Sequence, residues 1–131
     1  MESSSVGSLF DDHGVELCGS ELTFTKTMEL ARQRYKRMPL CAVEEWIIFD
    51  AIVTEQELNA IKAAGCAPML LYSHKVVHDE QRRFEPGFWV RSSMATSFED
   101  GFLFSTRNTV YVLIGAGKRQ SASLKSIFSL F

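Results

Sequence analysis

The sequence contains few of the residues that mark a secreted or membrane-spanning chain. Its three cysteines, Cys18, Cys41 and Cys66, are odd in number and widely spaced, which excludes a disulfide framework and predicts a reducing compartment. No apolar run approaches the roughly 18 residues that a transmembrane helix needs. The first five residues lack the basic and apolar regions of a signal peptide. We therefore expect a cytoplasmic protein that does not bind a membrane.

A large excess of charge of one sign is also missing. The 14 Lys and Arg residues against 16 Asp and Glu residues give a net charge of −2, so there is no global electrostatic case for binding nucleic acid. The charges are unevenly distributed, because residues 1–66 carry 6 basic and 11 acidic residues while residues 67–131 carry 8 and 5. Two interpretations follow: an acidic and a basic surface, or neutralisation when the two halves pack together.

The apolar content is ample for a packed interior. Apolar residues make up 46% of a 131-residue chain, which fits one domain and excludes disorder for most of its length. We divide the chain into a flexible polar arm at 1–19, a single α+β domain at 20–117 and an apolar tail at 118–131 whose apolar residues have helical spacing.

Two segments are predicted to form helices. An apolar stripe from Phe24 to Met38 has helical spacing, with Thr23 or Thr25 as the N-cap and Pro39 ending the helix. The second helix begins with a capping box formed by residues 54–57. We expect Leu58 and Ile61 to be buried there and Gly65 to follow the helix C-terminus.

The remaining apolar segments predict strands. Residues 41–53 form a β-branched and aromatic run in which Asp50 favours an edge or a bend, and residues 69–78 form one long bent strand or two. After a loop, Asp100-Gly101 predicts a type I′ turn within a C-terminal β-meander. The predicted fold is α+β, with two helices packed on a mostly antiparallel sheet of about five strands.

No motif for catalysis, metal binding or a cofactor is recognisable. The segment 115–118 resembles a phosphate-binding loop, but Val112 and Arg119 stand where a Walker A motif needs Gly and Ser or Thr. His74 and His78 lie roughly 13 Å apart if their segment is a strand, which is too far to share one ion. We expect no catalytic residue, no metal and no cofactor. A small hydrolase or nuclease with a perturbed His74 or His78 is kept as an alternative.

Several basic and aromatic residues are candidate contacts instead. Arginine forks can hold phosphate or carboxylate, and neighbouring aromatics such as Phe88 and Trp89 either stack on bases or fill the core. The basic helix face and the apolar tail supply further candidates. The full set of candidate binding residues is Arg32, Lys36, Arg82, Arg83, Arg91, Arg107, Asn108, Phe128 and Phe131.

Three segments carry a resemblance to a known family. They are Trp89-Val90-Arg91-Ser92-Ser93, the spacing of Phe98, Gly101 and Phe104, and Thr106-Arg107-Asn108-Thr109-Val110-Tyr111-Val112-Leu113. With these segments the sequence resembles a small family of domains of unknown function from proteobacteria and their phages, over roughly residues 15–117. The resemblance implies a cytoplasmic location and an accessory role, often in a mobile element, and it implies no activity.

The leading functional hypothesis is a non-enzymatic protein-interaction module. We expect a protein partner, in the manner of a phage or prophage accessory factor that modulates a host protein complex, with a homo-oligomer through the C-terminal tail as a further option. The alternative is a nucleic-acid-binding domain that uses the arginines of the meander and binds less tightly as salt is added.

Overall fold

The computed structural model of the chain describes residues 14–130, which form eight strands and three helices. The predicted α+β class is confirmed. The sheet has more strands than the five expected, and a third helix follows them. In chain order the elements are β1 (Val15–Leu17), α1 (Phe24–Arg34), β2 (Leu40–Ile52), α2 (Glu55–Ala63), β3 (Met69–Asp79), β4 (Val90–Arg91), β5 (Ser97–Glu99), β6 (Leu103–Ser105), β7 (Val110–Leu113), β8 (Gly117–Ser123) and α3 (Leu124–Phe128).

The long strand β2 organises one curled sheet. It pairs with β3 along one edge, and β7 and then β8 lie parallel to it along the other. The other strand pairs are antiparallel, and within residues 14–130 β4 pairs only with β3. The expectation that Asp50 marks an edge or a bend is wrong. Asp50 lies inside the central strand, where its carboxylate accepts two hydrogen bonds of 2.8 Å from the Arg119 guanidinium.

The predicted β-meander is present as β5, β6 and β7. Asp100 and Gly101 have φ of 56° and 77°, and the Phe102 N–H donates to the Glu99 carbonyl. Positive φ at both central positions is what a type I′ turn requires, so the turn prediction is confirmed. The predicted strand at 88–98 is interrupted, since only β4 and β5 form within it.

A change of side-chain alternation divides β2 into two halves. Before Glu45 the residues Cys41 and Val43 face the interior of the curled sheet, whereas after it Trp46 and Ile48 do. Glu45, between the two halves, has φ of 51°, and the two faces exchange at this residue. The opposite face of each half is covered by a helix, α1 over the first half and α3 over the second.

Helix α1 begins as predicted and ends earlier. The Thr23 hydroxyl accepts from the Lys26 N–H at the N-terminus. The helix stops at Arg34, four residues before Met38, because the Arg32 guanidinium donates to the carbonyls of Tyr35 and Met38 and holds the chain in a turn. Ala31, on the face of α1 that packs against β2, is fully buried.

Helix α2 has the predicted ends and an unexpected exposure. The Thr54 hydroxyl accepts from the Glu57 N–H and the Glu57 carboxylate accepts from the Thr54 N–H, which confirms the capping box. Gly65, with φ of 80°, follows the helix. The expected burial of Leu58 and Ile61 is wrong: both are half-buried, and α2 contains no buried residue.

Two strands lie in segments for which the sequence predicted an arm and a tail. Strand β1 at 15–17 pairs with β8, and β8 occupies the first half of the predicted tail. Within β8, Gln120 and Ala122 are buried against β2 and α3. The polar sequence of β8 has no β-branched residues, so the pattern carries no strand signal. Residues 1–13 of the predicted arm lie outside the described residues.

Among residues 14–130, no helix is both long enough and apolar enough to cross a membrane.

Candidate functional site

An exposed aromatic surface lies where β4 and the end of α3 meet. Phe88, Trp89 and Phe128 are 55%, 41% and 52% exposed, although each is a large apolar side chain. Arg91, on β4 two residues after Trp89, places its guanidinium 5.2 Å from the centre of the Phe128 ring. We call these four residues the aromatic–arginine surface.

The strand β3 positions the Trp89 ring. The Trp89 ring stacks on the buried Tyr72 ring, with centroids 6.2 Å apart and planes 19° from parallel. Tyr72 in turn meets the edge of His74 at 4.9 Å. Burial raises the pKa of the Tyr72 hydroxyl, so it stays protonated at neutral pH. The Trp89 indole therefore rests on a fixed aromatic support, and 41% of the residue remains exposed.

Arg91 ties β4 to the end of α3. Its Nη1 donates to the carbonyl oxygens of Phe128 and Leu130 at 3.1 and 3.0 Å, which satisfies groups that a helix C-terminus leaves unpaired. The cation over the Phe128 ring adds a cation–π contact. The structure thus brings together two of the predicted contact residues that lie far apart in the sequence, Arg91 and Phe128.

A groove runs along the aromatic–arginine surface. Its volume is about 370 Å³, and it is lined by Phe84, Phe88, Trp89, Val90 and Arg91. Tryptophan and arginine are enriched among the residues that dominate protein interfaces, because they combine a large apolar area with directed polar contacts. The lining of the groove is mostly apolar, with Arg91 as its one charged residue.

Two further predicted arginines are held by acidic side chains. The Arg32 guanidinium donates to both carboxylate oxygens of Glu80, and that carboxylate also accepts from the Leu40 N–H. Arg83 forms an ion pair with the buried Asp79, at 3.1 Å from Nε to Oδ2. Both arginines fasten one element to another, and neither guanidinium is a freely presented cation.

The Asp79–Arg83 pair belongs to a buried polar group. Burial raises the pKa of the Asp79 carboxyl, but hydrogen bonds and charge from Arg83 outweigh this and lower its pKa overall. Burial raises the pKa of the Cys41 thiol and of the Tyr111 hydroxyl, each to about 12. Cys41 is therefore a protonated core thiol at neutral pH, without the thiolate that nucleophilic chemistry needs.

The other predicted contact residues are spread over the molecule. The exposed Arg107 donates through Nη2 to the Ala64 carbonyl at the end of α2, and Asn108 is exposed in the turn between β6 and β7. Lys36 lies beyond the end of α1, and Arg82 adopts φ of 56° in the loop after β3. The structure does not bring these four together. Phe131 lies outside the described residues.

A second pocket collects charged side chains on the sheet. It has a volume of about 310 Å³ and contains Glu16, Glu45, His74 and Lys118 from four different strands. It adjoins the aromatic–arginine surface, because in-register partners form a row from Glu16 through Lys118, Ile47 and Tyr72 to Arg91. Among residues 14–130, no three His, Cys, Asp or Glu side chains are grouped closely enough to hold a metal ion.

The aromatic residues that follow the loop after β3 form two groups in the structure. Phe104 is fully buried and Phe102 is half-buried, whereas Phe88 and Trp89 face solvent. Neighbouring residues on a strand point to opposite faces, so two successive aromatics beside a short edge strand cannot both enter one core. This spacing is the signal that could have separated Phe88 and Trp89 from the core residues.

Comparisons with known proteins give one match. A family model described as a domain of unknown function, DUF6957, matches residues 18–129. Neither the curated proteins nor the solved structures contain a match to the chain.

Proposed function

We propose that this chain, which belongs to the DUF6957 family, is a non-enzymatic protein-interaction module. The proposal rests on the aromatic–arginine surface, where three large apolar side chains and one arginine stay accessible on a rigid support. We extend the proposal to an accessory factor of a phage or prophage that acts in the cytoplasm on a host protein complex. This extension rests only on the family resemblance of the sequence.

The contacts of the basic residues favour a protein partner over a nucleic acid. Nucleic-acid binding needs accessible cations that can reach several phosphates. Here Arg83 pairs with Asp79, Arg119 with Asp50 and Arg34 with Glu99. Arg91 and Arg107 donate to main-chain carbonyls at two different helix ends. The aromatic groups are therefore accessible without a continuous basic surface beside them.

Affinity capture with matched variants tests the proposed function. The full chain and its Trp89→Ser variant are used as bait in a lysate of the native host, with Val15→Ser as the control because Val15 is exposed on β1 at the opposite edge of the sheet. We expect a discrete partner whose recovery falls at least about tenfold with Trp89→Ser, as for a residue that dominates an interface. Recovery should be unchanged with Val15→Ser.

Equal recovery with both variants would refute the assignment of the interface. Salt titration of the captured complex separates the nucleic-acid alternative. A partner that resists nuclease treatment and depends weakly on salt supports the proposal, whereas loss with nuclease and a steep salt dependence would favour the alternative.

A further inference from the structure

We infer that the partner of the aromatic–arginine surface is an extended segment that adds to the edge of β4 as a further strand and presents a carboxylate to Arg91. This inference rests on the proposed function and specifies the chemistry of the partner. It starts from the position of β4, which pairs with β3 and with no other strand of residues 14–130.

The backbone around β4 is already in the conformation that strand addition needs. The Val76 N–H donates to the Phe88 carbonyl at 2.7 Å, and the Ser92 N–H donates to the Leu71 carbonyl at 2.8 Å. In an antiparallel ladder, the backbone N–H and C=O of one residue point toward one neighbouring strand, and those of the next residue point toward the opposite side. Because Phe88 and Ser92 use the side toward β3, the N–H and C=O of Arg91 point outward, toward the position of an added strand.

Side chains on both faces of this edge match an added strand. Trp89 and Arg91 lie on the face that carries Tyr72, while Val90 points into the core and Phe84 packs against the same cluster. Successive residues of an incoming strand also alternate between the faces. One set of its side chains would therefore meet Trp89 and Arg91, and the other would meet Phe84 and Phe88 in the groove.

The charges indicate a carboxylate on the partner. Arg91 uses Nη1 for the two α3 carbonyls, and a guanidinium carries five N–H donors, so donors on its other nitrogens remain to bind a carboxylate. The neighbouring loop, residues 80–89, adds Arg82 and two acids, of which Glu80 is paired with Arg32 and Glu85 lines one pocket with Arg82.

A second copy of the chain is the weaker candidate for this edge. Antiparallel pairing of β4 with itself, over two residues, would place the Arg91 guanidinium of each copy near that of the other. Like charges opposite each other destabilise a strand pair. We therefore assign the edge to a different chain, whose acidic residue meets Arg91.

Selection from a displayed library of random 12-residue peptides tests the inference. The full chain is the target, and the Trp89→Ser variant, checked for an unchanged thermal midpoint, removes background binders. We expect enriched peptides in which apolar residues alternate along the chain and one Asp or Glu is present. Titration calorimetry on the best peptide should show at least a fivefold weaker affinity when that acid is changed to the amide.

N-methylation of the peptide backbone distinguishes strand addition from other modes of peptide binding. N-methylation of alternate peptide amides removes the donors that would pair with β4, and we expect at least a tenfold loss of affinity. Methylation of the intervening amides, which face away from β4, should change affinity by less than twofold. The side chains are identical in the two series, so only the hydrogen-bonding register differs.

Three results would overturn the inference. One is a proline-rich consensus that tolerates both methylation series, which would indicate a polyproline helix on the aromatic rings. Another is enrichment that Trp89→Ser does not reduce. The third is sedimentation of the chain as a dimer that Trp89→Ser dissociates. If lysate capture still depends on Trp89 in these cases, the proposed function stands and only strand addition fails; if capture is also independent of Trp89, both fail.

Discussion

Glu45 adopts a strained backbone conformation that the fold requires. Its φ of 51° is in the left-handed region, which disfavours residues with a Cβ atom, yet it occurs within a thirteen-residue strand. The distortion exchanges the faces of β2, so that Cys41 and Val43 and then Trp46 and Ile48 point into one core. No sequence pattern predicts this, because a strand with apolar residues on both faces gives no alternation from which to locate the exchange.

Replacing Glu45 with glycine should stabilise the protein. Glycine adopts positive φ without a steric cost, so we expect Glu45→Gly to raise the free energy of unfolding by about 0.5–1 kcal/mol. The control is Glu44→Gly, the neighbouring residue whose carboxylate pairs with Lys75 at 3.3 Å. That variant should be destabilised, since glycine weakens a regular strand. Urea unfolding measures both, and a loss of stability in Glu45→Gly would contradict the assignment of strain.

Glu80 joins three elements at the end of α1. Its carboxylate accepts from Arg32 on α1 and from the N–H of Leu40 at the start of β2, and Glu80 itself directly follows β3. The sequence predicts the start of α1 but not its end, because the end depends on this long-range contact. Burial raises the pKa of the Glu80 carboxyl, but the hydrogen bonds from Arg32 and Leu40 outweigh burial and lower its pKa below the usual 4.5.

The contribution of Glu80 to stability should therefore depend on pH. A depressed pKa in the folded state means that the stabilisation is complete above about pH 4.5 and is lost as the pH falls through the folded-state value. We expect Glu80→Gln to cost about 1 kcal/mol near neutral pH, and the difference from wild type to shrink below pH 4.5. Urea unfolding of both proteins at pH values above and below 4.5 measures this difference in the free energy of unfolding. The control is Glu29→Gln, which removes an exposed pair with Lys26 and should change the free energy of unfolding by less than about 0.5 kcal/mol near neutral pH.

Helix α2 depends on its ends rather than on packing. The capping box, Gly65 and the acidic first turn were all predictable, because they act within one segment of sequence. The absence of buried residues in α2 was not predictable, because Leu58 and Ile61 have helical spacing whether or not the sheet reaches them.

Loss of the Thr54 cap should therefore open α2 locally. Thr54→Ala removes the acceptor for the Glu57 N–H, which typically costs about 1 kcal/mol. We expect about fivefold faster amide hydrogen exchange across α2, with a smaller change in global unfolding, because few buried contacts link α2 to the core. Gln56→Ala, in the same turn without a capping role, should leave exchange unchanged. Equal effects in the two variants would contradict the cap as the stabilising contact.

The arrangement of the whole sheet was the part least accessible from sequence. The meander and the β2 segment were predicted from local patterns, whereas the parallel pairing of β2 with β7 and β8 joins residues about 70 positions apart. In the candidate site, too, single residues were predictable from the sequence, whereas the contact between them was not. Arg91 and Phe128 were selected individually, but their contact exists only because β8 returns the chain to β2 and sets α3 over its second half.

The close approach at Gly117 holds β8 against the central strand. A Cβ atom at Gly117 would overlap the indole of Trp46, which is buried and donates through Nε1 to the Gly115 carbonyl. Gly117→Ala should therefore push β8 away from β2 and loosen β1 with it. We expect a loss of about 2–3 kcal/mol in the free energy of unfolding, as for overpacking in a core.

Gly115→Ala separates this steric effect from backbone strain. Gly115 has φ of 71°, and no other group lies within 4 Å of its would-be Cβ position, so alanine there costs about 1 kcal/mol of conformational strain without touching the indole. Both variants are compared in a Trp89→Phe background, which leaves Trp46 as the only tryptophan. The emission maximum of Trp46 should move to longer wavelength in Gly117→Ala alone. If both variants unfold at the same urea concentration with unchanged emission, then β8 is not held by this contact, and the path from β2 through β8 to α3 and Arg91 needs another physical basis.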